Sequence, residues 1–281
     1  MKFVKMHGAG NDYVYVDCFQ QVPTDPAALA IKISDRHFGV GSDGLILIMP
    51  SACADARMRM FNADGSEAQM CGNGIRCVAK YLHDHQLTHG ATLTIETLAG
   101  VLSVEIAGAP GSEISQVTVN MGQPRLLRGE IPMTGEAQEQ ALEIPLTVAG
   151  RTFTASCVSM GNPHCVIYVD DVEQFDVAYW GALIEQHSWF PERINVEFVE
   201  ILADDEVRQR TWERGAGETL ACGTGASAVT VAGFLTGRTG PQIRNHLRGG
   251  MLTLEYCVDG PVMMTGPAQQ VFSGDYPWPE D

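Results

Sequence analysis

The sequence predicts a mixed α/β (α+β) protein of two related halves, each a strand-rich layer with one largely buried helix. Three observations predict it. Strand-like runs outnumber helical stretches, a Cys-Gly-x-Gly-helix pattern occurs twice, and the landmarks before each copy lie at matching distances. A length of 281 residues fits a prior of about two domains of roughly 150 residues each.

In chain order, residues 13–16 form a short apolar strand bounded by Asn11-Asp12 and Asp17. Residues 27–36 show apolar side chains near helical spacing and end before Gly39. Residues 45–49 are an apolar run between a Gly-rich turn and Pro50, as in a buried strand. Residues 57–61 alternate polar and apolar. Residues 74–83 place Ile75, Val78, Ala79 and Leu82 on one face of a helix. Residues 93–106 hold two alternating stretches split at Ala99-Gly100, a hairpin, and residues 117–121 form another strand. Residues 123–147, rich in Gly, Pro and Glu, read as a loop-containing connection where a domain boundary would sit. Residues 225–235 are apolar nearly all round, which marks a buried helix. Residues 275–281 read as a polar, Pro-rich surface tail. The domains expected are 1–119, 120–266 and a C-terminal segment 267–281, with its return to the first half left open.

Hydrophobic residues make up 45% of the chain, enough for a sizeable core. With 34 acidic and 18 basic residues the net charge is −16, which argues against nonspecific binding to nucleic acid or an anionic membrane. No apolar run approaches the roughly 18 residues that span a bilayer, and the N-terminus does not resemble a signal peptide. The expectation is a soluble, cytoplasmic protein acting on a small molecule. Eight cysteines lie at positions 18, 53, 71, 77, 157, 165, 222 and 257. A long, well-cored chain without a secretory signal does not suggest a disulfide framework. No Cys-x-x-Cys pair supplies a zinc set, so no metal is expected. Most of these thiols read as core residues.

Two do not. Met70-Cys71-Gly72-Asn73-Gly74 and Ala221-Cys222-Gly223-Thr224-Gly225 each run into a helix. Sixty residues before each cysteine stands a Gly-Asn, at Asn11 and Asn162, followed by a strand. Nine residues before them stand Asn62 and Glu213. Related halves facing one another would form a cleft with approximate twofold symmetry. A thiol at a helix start meets free backbone N–H groups and the positive end of the helix dipole, which are expected to lower its pKa and to favour a nearby carboxylate. Two such sulfurs on opposite faces of one carbon suit inversion of a stereocentre: a thiolate removes the α-proton, and a thiol delivers one from the other side. His164 and Glu213 lie near the second copy and could bias which sulfur is ionised. The plain alternatives are a satisfied turn residue for His164 and a surface ion pair for Glu213 with Arg214.

At these residues the sequence resembles the diaminopimelate epimerase family. The resemblance covers nearly the whole chain: HGAGNDYVYVD from His7, FNADGSEAQMCGNGIRC from Phe61, SMGNPHCV from Ser159, PERINVEF from Pro191 and WERGAGETLACGTGASA from Trp212. It implies two pseudosymmetric domains, each a barrel-like sheet around a central helix. It also implies a cofactor-independent enzyme of lysine and peptidoglycan precursor synthesis that acts as a homodimer. It implies that Cys71 and Cys222 are the acid/base pair and that His164 and Glu213 tune them. Substrate contacts would come from Asn11, Asn62, Gly72, Asn73, Asn162, Asn195, Glu213, Arg214, Gly223 and Thr224, with Arg214 suited to bidentate carboxylate binding. In one turn the chain departs from the family: Gly41-Ser42-Asp43-Gly44 stands where some members have Gly-x-Asp-Gln, so Gly44 lacks the side chain that touches substrate there. Gly44 lies 27 residues before Cys71, as Asn195 lies 27 before Cys222.

Three rival readings are weaker. A proline-type racemase carries a motif like Cys-Gly-His-Gly, where this chain has Cys71-Gly72-Asn73-Gly74, and its substrate would leave Arg214 without a distal carboxylate. A thiol redox sensor explains the cysteine pair only as a side reaction of an empty cleft. A cysteine hydrolase using His164 as base leaves the second cysteine unexplained.

Overall fold

The computed structural model describes residues 1–88, 90–106 and 114–278. Its elements in chain order are β1 (Lys2–Gly8), β2 (Asn11–Asp17), α1 (Pro26–Ser34), β3 (Gly44–Met49), β4 (Ala56–Asn62), β5 (Glu67–Ala68), α2 (Gly72–Asp84), β6 (Thr92–Thr97), β7 (Gly100–Ile106) and β8 (Gln116–Asn120). There follow β9 (Ile144–Val148), β10 (Arg151–Ser159), β11 (Pro163–Tyr168), α3 (Val177–Glu185), β12 (Asn195–Ala203), β13 (Glu206–Glu213), β14 (Gly217–Thr219), α4 (Gly223–Leu235), β15 (Gln242–Leu247), β16 (Gly250–Tyr256), β17 (Val262–Pro267) and β18 (Gln269–Asp275). The chain divides into two compact units. One comprises Met1–Asn120 with the segment from Thr265 onward; the other is Met121–Met264.

In the first unit β1 pairs antiparallel with both β2 and β18, β2 runs parallel to β3, and β3 pairs antiparallel with β4. The layer continues from β4 to parallel β6, then to β7 and β8. Helix α2 packs against β1, β2, β7 and β8, and α1 packs against β2, β3 and β4. The period of a strand explains this division of labour. Along β3, Leu45 and Leu47 join the core under α1, while Ile46 turns to the other face and meets the start of α2. Helix α1 begins at Asp25, whose carboxylate accepts the Ala28 N–H, with Pro26 at its first position.

The second unit repeats the plan. β9, β10 and β11 are antiparallel neighbours, β11 runs parallel to β12, and β12 pairs antiparallel with β13. β13 runs parallel to β15, which pairs with β16. Helix α4 packs against β10, β11, β12, β15 and β16, while α3 covers β12 and β13. Val196 and Phe198 of β12 enter the core beneath α3, and the intervening Glu197 faces α4. The pairings coincide between units: Tyr13 opposes Gly44 as His164 opposes Asn195, and Ile46 opposes Met60 as Glu197 opposes Thr211.

Three features differ from the sequence expectations. Helix α2 is buried nearly all round, its polar positions included. Lys80 Nζ donates to the Ile114 carbonyl and pairs with Asp84, and Arg76 donates to the carbonyls of Gly72 and Pro267. Such partners are what allow a helix with a polar face into an interior. The connection 123–147 ends in strand, because residues 144–148 pair with β10 and supply Leu146 and Val148 to the core. Residues 276–278 are not a plain surface tail: Tyr276 N–H donates to the Met1 carbonyl, and Tyr276 and Trp278 pack on the α1 core. Residues 279–281 of that expected tail lie outside the described residues.

Gly44 is held by close packing. A Cβ there would collide with the Phe61 carbonyl oxygen and lie 2.9 Å from Tyr13 Cε1. A larger residue therefore requires a shift of β4 against β3. Gly44→Ala is expected to cost about 1–3 kcal/mol, lowering Tm by roughly 2–4 °C per kcal/mol in calorimetry. An unchanged Tm would show that the strands separate freely.

Candidate active site

Each central helix starts on a cysteine. Cys71 and Cys222 have extended backbone geometry (φ −138° and −123°), and their sulfurs accept the N–H of Gly74 and Gly225, each at 3.4 Å. The first turn of a helix leaves several N–H groups without intrahelical partners, and here a sulfur takes one of them. The third residue after each cysteine, Gly74 or Gly225, is packed closely against a strand. A Cβ on Gly74 would lie 2.7 Å from Ile46 Cδ1, and one on Gly225 would collide with the Glu197 carboxylate.

In the first unit, Cys71 Sγ donates to Asn11 Oδ1 at 3.3 Å, and Asn73 Nδ2 donates to the same oxygen at 3.3 Å. Asn11 is held from behind by Asp43, which accepts its Nδ2–H at 2.8 Å, and Asn73 Oδ1 accepts a buried Arg76 N–H at 2.7 Å. Gly72 and Asn73 are buried in the first turn of α2. Asn62 ends β4 opposite Gly44, and its Nδ2 donates to Ser66 Oγ at 3.0 Å. Of the residues expected in this half, Asn11, Cys71 and Asn73 are thus linked by hydrogen bonds.

In the second unit, Cys222 Sγ lies 3.4 Å from Thr224 Oγ1. His164 is fully buried; its Nδ1 lies 2.8 Å from Glu197 Oε1 and its Nε2 3.1 Å from Asn162 Oδ1. Asn195 donates to the Pro163 carbonyl and accepts the Arg214 backbone N–H at 2.9 Å. The Arg214 guanidinium is exposed and donates through Nη1 to the Glu192 carbonyl at 2.9 Å. Glu213 accepts the Thr219 hydroxyl at 2.6 Å. Gly223 is buried at the first position of α4. His164, Glu197 and Cys222 offer metal-ligating atoms within 4.8 Å of one another. The Glu197 oxygens already take hydrogen bonds from Gln209 and Thr211 and face His164, so this set is saturated by the protein's own donors.

The matching distances and the two capped helices make a family assignment testable by comparison. The family model described as diaminopimelate epimerase matches residues 3–127 and 156–271. The chain belongs to the diaminopimelate epimerase family. It is 51% identical to the diaminopimelate epimerase of Agathobacter rectalis over 98% of this chain and 99% of that one, and 51% identical to that of Pelotomaculum thermopropionicum over 99% of each. The fold is shared more widely. A PhzF-family phenazine biosynthesis protein from Bacillus anthracis superposes with a TM-score of 0.70 at 17% identity over 98% of each chain. A probable proline racemase from Agrobacterium radiobacter gives 0.69 at 15% identity over 98% of this chain and 92% of that one.

One expectation drawn from the helix termini does not hold for this family member. Cys222 was expected to have a lowered pKa; instead burial pushes its thiol well above the usual value of 9.0, and the charges of Glu213 and Glu197 push it further. The Thr224 hydroxyl and the Gly225 N–H act in the opposite direction and are outweighed. Desolvation of a thiolate costs more than one long N–H···S bond returns. Sequence reasoning also missed Glu197, Gln209, Thr211 and Asn245. The available signal was a comparison of the halves at the offset that relates Cys71 to Cys222, which sets Glu197 against Ile46.

Because the thiolate is the reactive form, carbamidomethylation of Cys222 should still be climbing at about pH 9, the unshifted value. Peptide mass spectrometry against a pH series reads it. A plateau below about pH 8 would contradict the raised pKa.

Proposed function

We propose that this protein is a cofactor-independent epimerase that interconverts LL- and meso-2,6-diaminopimelate, using Cys71 and Cys222 as a two-base pair. The observation that carries the reading is the duplicated cysteine cap in a chain half identical to named diaminopimelate epimerases along its whole length. The two units are the related halves, with sequence domains 1–119 and 120–266 each contributing one cysteine and segment 267–281 completing the chain.

The reaction needs an ionised sulfur on one face of the α-carbon and a protonated one on the other. Burial and the acidic neighbours of Cys222 favour its thiol, the form that donates the proton. The thiolate takes the α-proton, the electron pair delocalises towards the adjacent carboxylate, and the opposite thiol protonates the carbon. In the reverse direction the roles exchange. The N–H groups at the starts of α2 and α4, with Gly72, Asn73, Gly223 and Thr224, are suited to the reacting carboxylate. Asn11, Asn62, Asn162, Asn195, Glu213 and Arg214 supply donors and acceptors for the substrate's amino and carboxylate groups. His164 and Glu213 tune the cysteines. Rejection of a poor substrate follows from the unpaired polar groups it would leave. The same reading places the protein in the cytoplasm as a homodimer that supplies lysine and peptidoglycan precursors. Among the described residues no helix is long and apolar enough to cross a membrane.

LL-diaminopimelate incubated in heavy water without pyridoxal phosphate should give meso product with deuterium at one α-carbon. Cys71→Ala and Cys222→Ala should each lower turnover by at least about 10²–10⁴-fold. Product without deuterium, or wild-type turnover in either variant, would refute the two-base reading. Sedimentation at twice the chain mass tests the dimer.

A further inference from the structure

Beneath Cys222 lies a chain of buried polar side chains that the reaction above does not use. Glu197 is fully buried on β12 and receives donors from three sides. Its Oε1 faces His164 Nδ1 at 2.8 Å, and its Oε2 accepts Thr211 Oγ1–H and Gln209 Nε2–H, each at 2.6 Å. The polarity of these bonds follows from the carboxylate, which only accepts. The Gln209 amide presents its NH2 to Glu197 and Thr211, and its Oε1 accepts Asn245 Nδ2–H at 2.5 Å. Thr211 accepts one of those N–H groups and so directs its own hydrogen to Glu197. The carboxylate is left as an acceptor towards His164, and His164 Nδ1 must donate. With Nδ1 donating, Nε2 of the neutral ring accepts, so the Asn162 amide beside it must turn to present its Nδ2–H there.

The fold does not require this network. At the matching positions of the first unit stand Tyr13 for His164, Ile46 for Glu197, Met58 for Gln209, Met60 for Thr211 and Ile95 for Asn245, on strands paired in the same register. Ile46, Met58, Met60 and Ile95 are buried there too. The same slot is thus apolar in one unit and ionic in the other. An apolar filling is the cheaper one where only packing is needed, since burying a charge demands a full set of partners.

We propose that Glu197 is a positioning residue for the epimerisation, holding the proton of His164 on Nδ1 and fixing the ring beside Cys222. The inference rests on the epimerase reading. It makes the two bases unlike by construction, because only the second unit carries the charged network. The groups that face Cys222 are Glu197 from β12, Glu213 from β13 and His164 from β11; Glu197 also acts on Cys165 of β11.

Glu197→Gln separates this role from packing. The oxygen of the new amide takes the Thr211 and Gln209 donors, its NH2 meets His164 Nδ1, and the ring proton must move to Nε2. Nitrogen-15 NMR of histidine-labelled protein, with His164→Asn to assign the signal, should show Nδ1–H in the wild type and Nε2–H in Glu197→Gln. The same variant should lose about 10²–10⁴-fold in kcat with KM within about threefold. The basic limb of its kcat profile should move to lower pH, since the carboxylate that holds Cys222 as a thiol is gone. Glu197→Asp should keep the Nδ1 proton and the wild-type limb, with an intermediate kcat. An unchanged tautomer and pH profile in Glu197→Gln overturns the proposal, as does a lowered Tm with no other change. Should that variant not fold, Nε2–H in the wild type overturns it, and Nδ1–H in both the wild type and Glu197→Asp upholds it. A wild type that incorporates no deuterium defeats the epimerase reading, whereas the tautomer measurement reads the link between Glu197 and His164 independently.

Discussion

A helix buried inside a sheet must begin somewhere, and its first N–H groups have no partners within the helix. In both units that beginning is a cysteine whose sulfur accepts a backbone N–H, pressed by a glycine against the middle of a strand. The rest of each unit follows from it. Small residues in the first turn bring the backbone close to the parallel pair β2–β3 or β11–β12. The Asn of the preceding Gly-Asn turn lies beside the sulfur directly at Asn11, and by way of His164 at Asn162. The strands that sheath the helix carry the side chains around the thiol, and the outer helices α1 and α3 close the opposite face of the sheet.

Duplication gives the protein two such starts, and divergence gives them different chemistry. Around Cys71 the neighbours include the Asn11 and Asn73 amides and the Tyr13 hydroxyl, and a buried guanidinium is held by Asn73 and by carbonyls. Around Cys222 they are carboxylates and an imidazole. In the proposed two-base reaction this inequality would make the two sulfurs chemically distinct. The backbone supplies symmetric N–H groups for the carboxylate of the substrate, and the side chains break the symmetry for the proton.

Much of this was legible in the chain of letters. Strands 13–16, 45–49, 57–61 and the 93–106 hairpin, and the helices from Gly74 and Gly225, follow from apolar periodicity and turn residues, and the structure places strands and helices there. The pair Cys71 and Cys222 stood out by repetition alone. Less legible was β9, since a short strand at the end of a Pro- and Glu-rich connection has little pattern of its own and is recruited by β10. The burial of α2 was hidden because Arg76 and Lys80 find carbonyl partners only in the folded chain.

The sequence by itself determined the architecture of the halves and singled out Cys71 and Cys222 as a pair, because periodicity and a repeated motif are local properties that survive without coordinates. Tertiary structure decided the direction in which the Cys222 thiol is shifted. The helix terminus alone predicts a lowered pKa for Cys222; burial and the carboxylates of Glu197 and Glu213 reverse it. Glu197 lies 25 residues from Cys222 in the chain, and no spacing rule connects them. Strand pairing does so, by turning the face of β12 that carries Glu197 onto the first turn of α4. Electrostatic effects depend on distance and on the exclusion of water, and both exist only once the chain has folded.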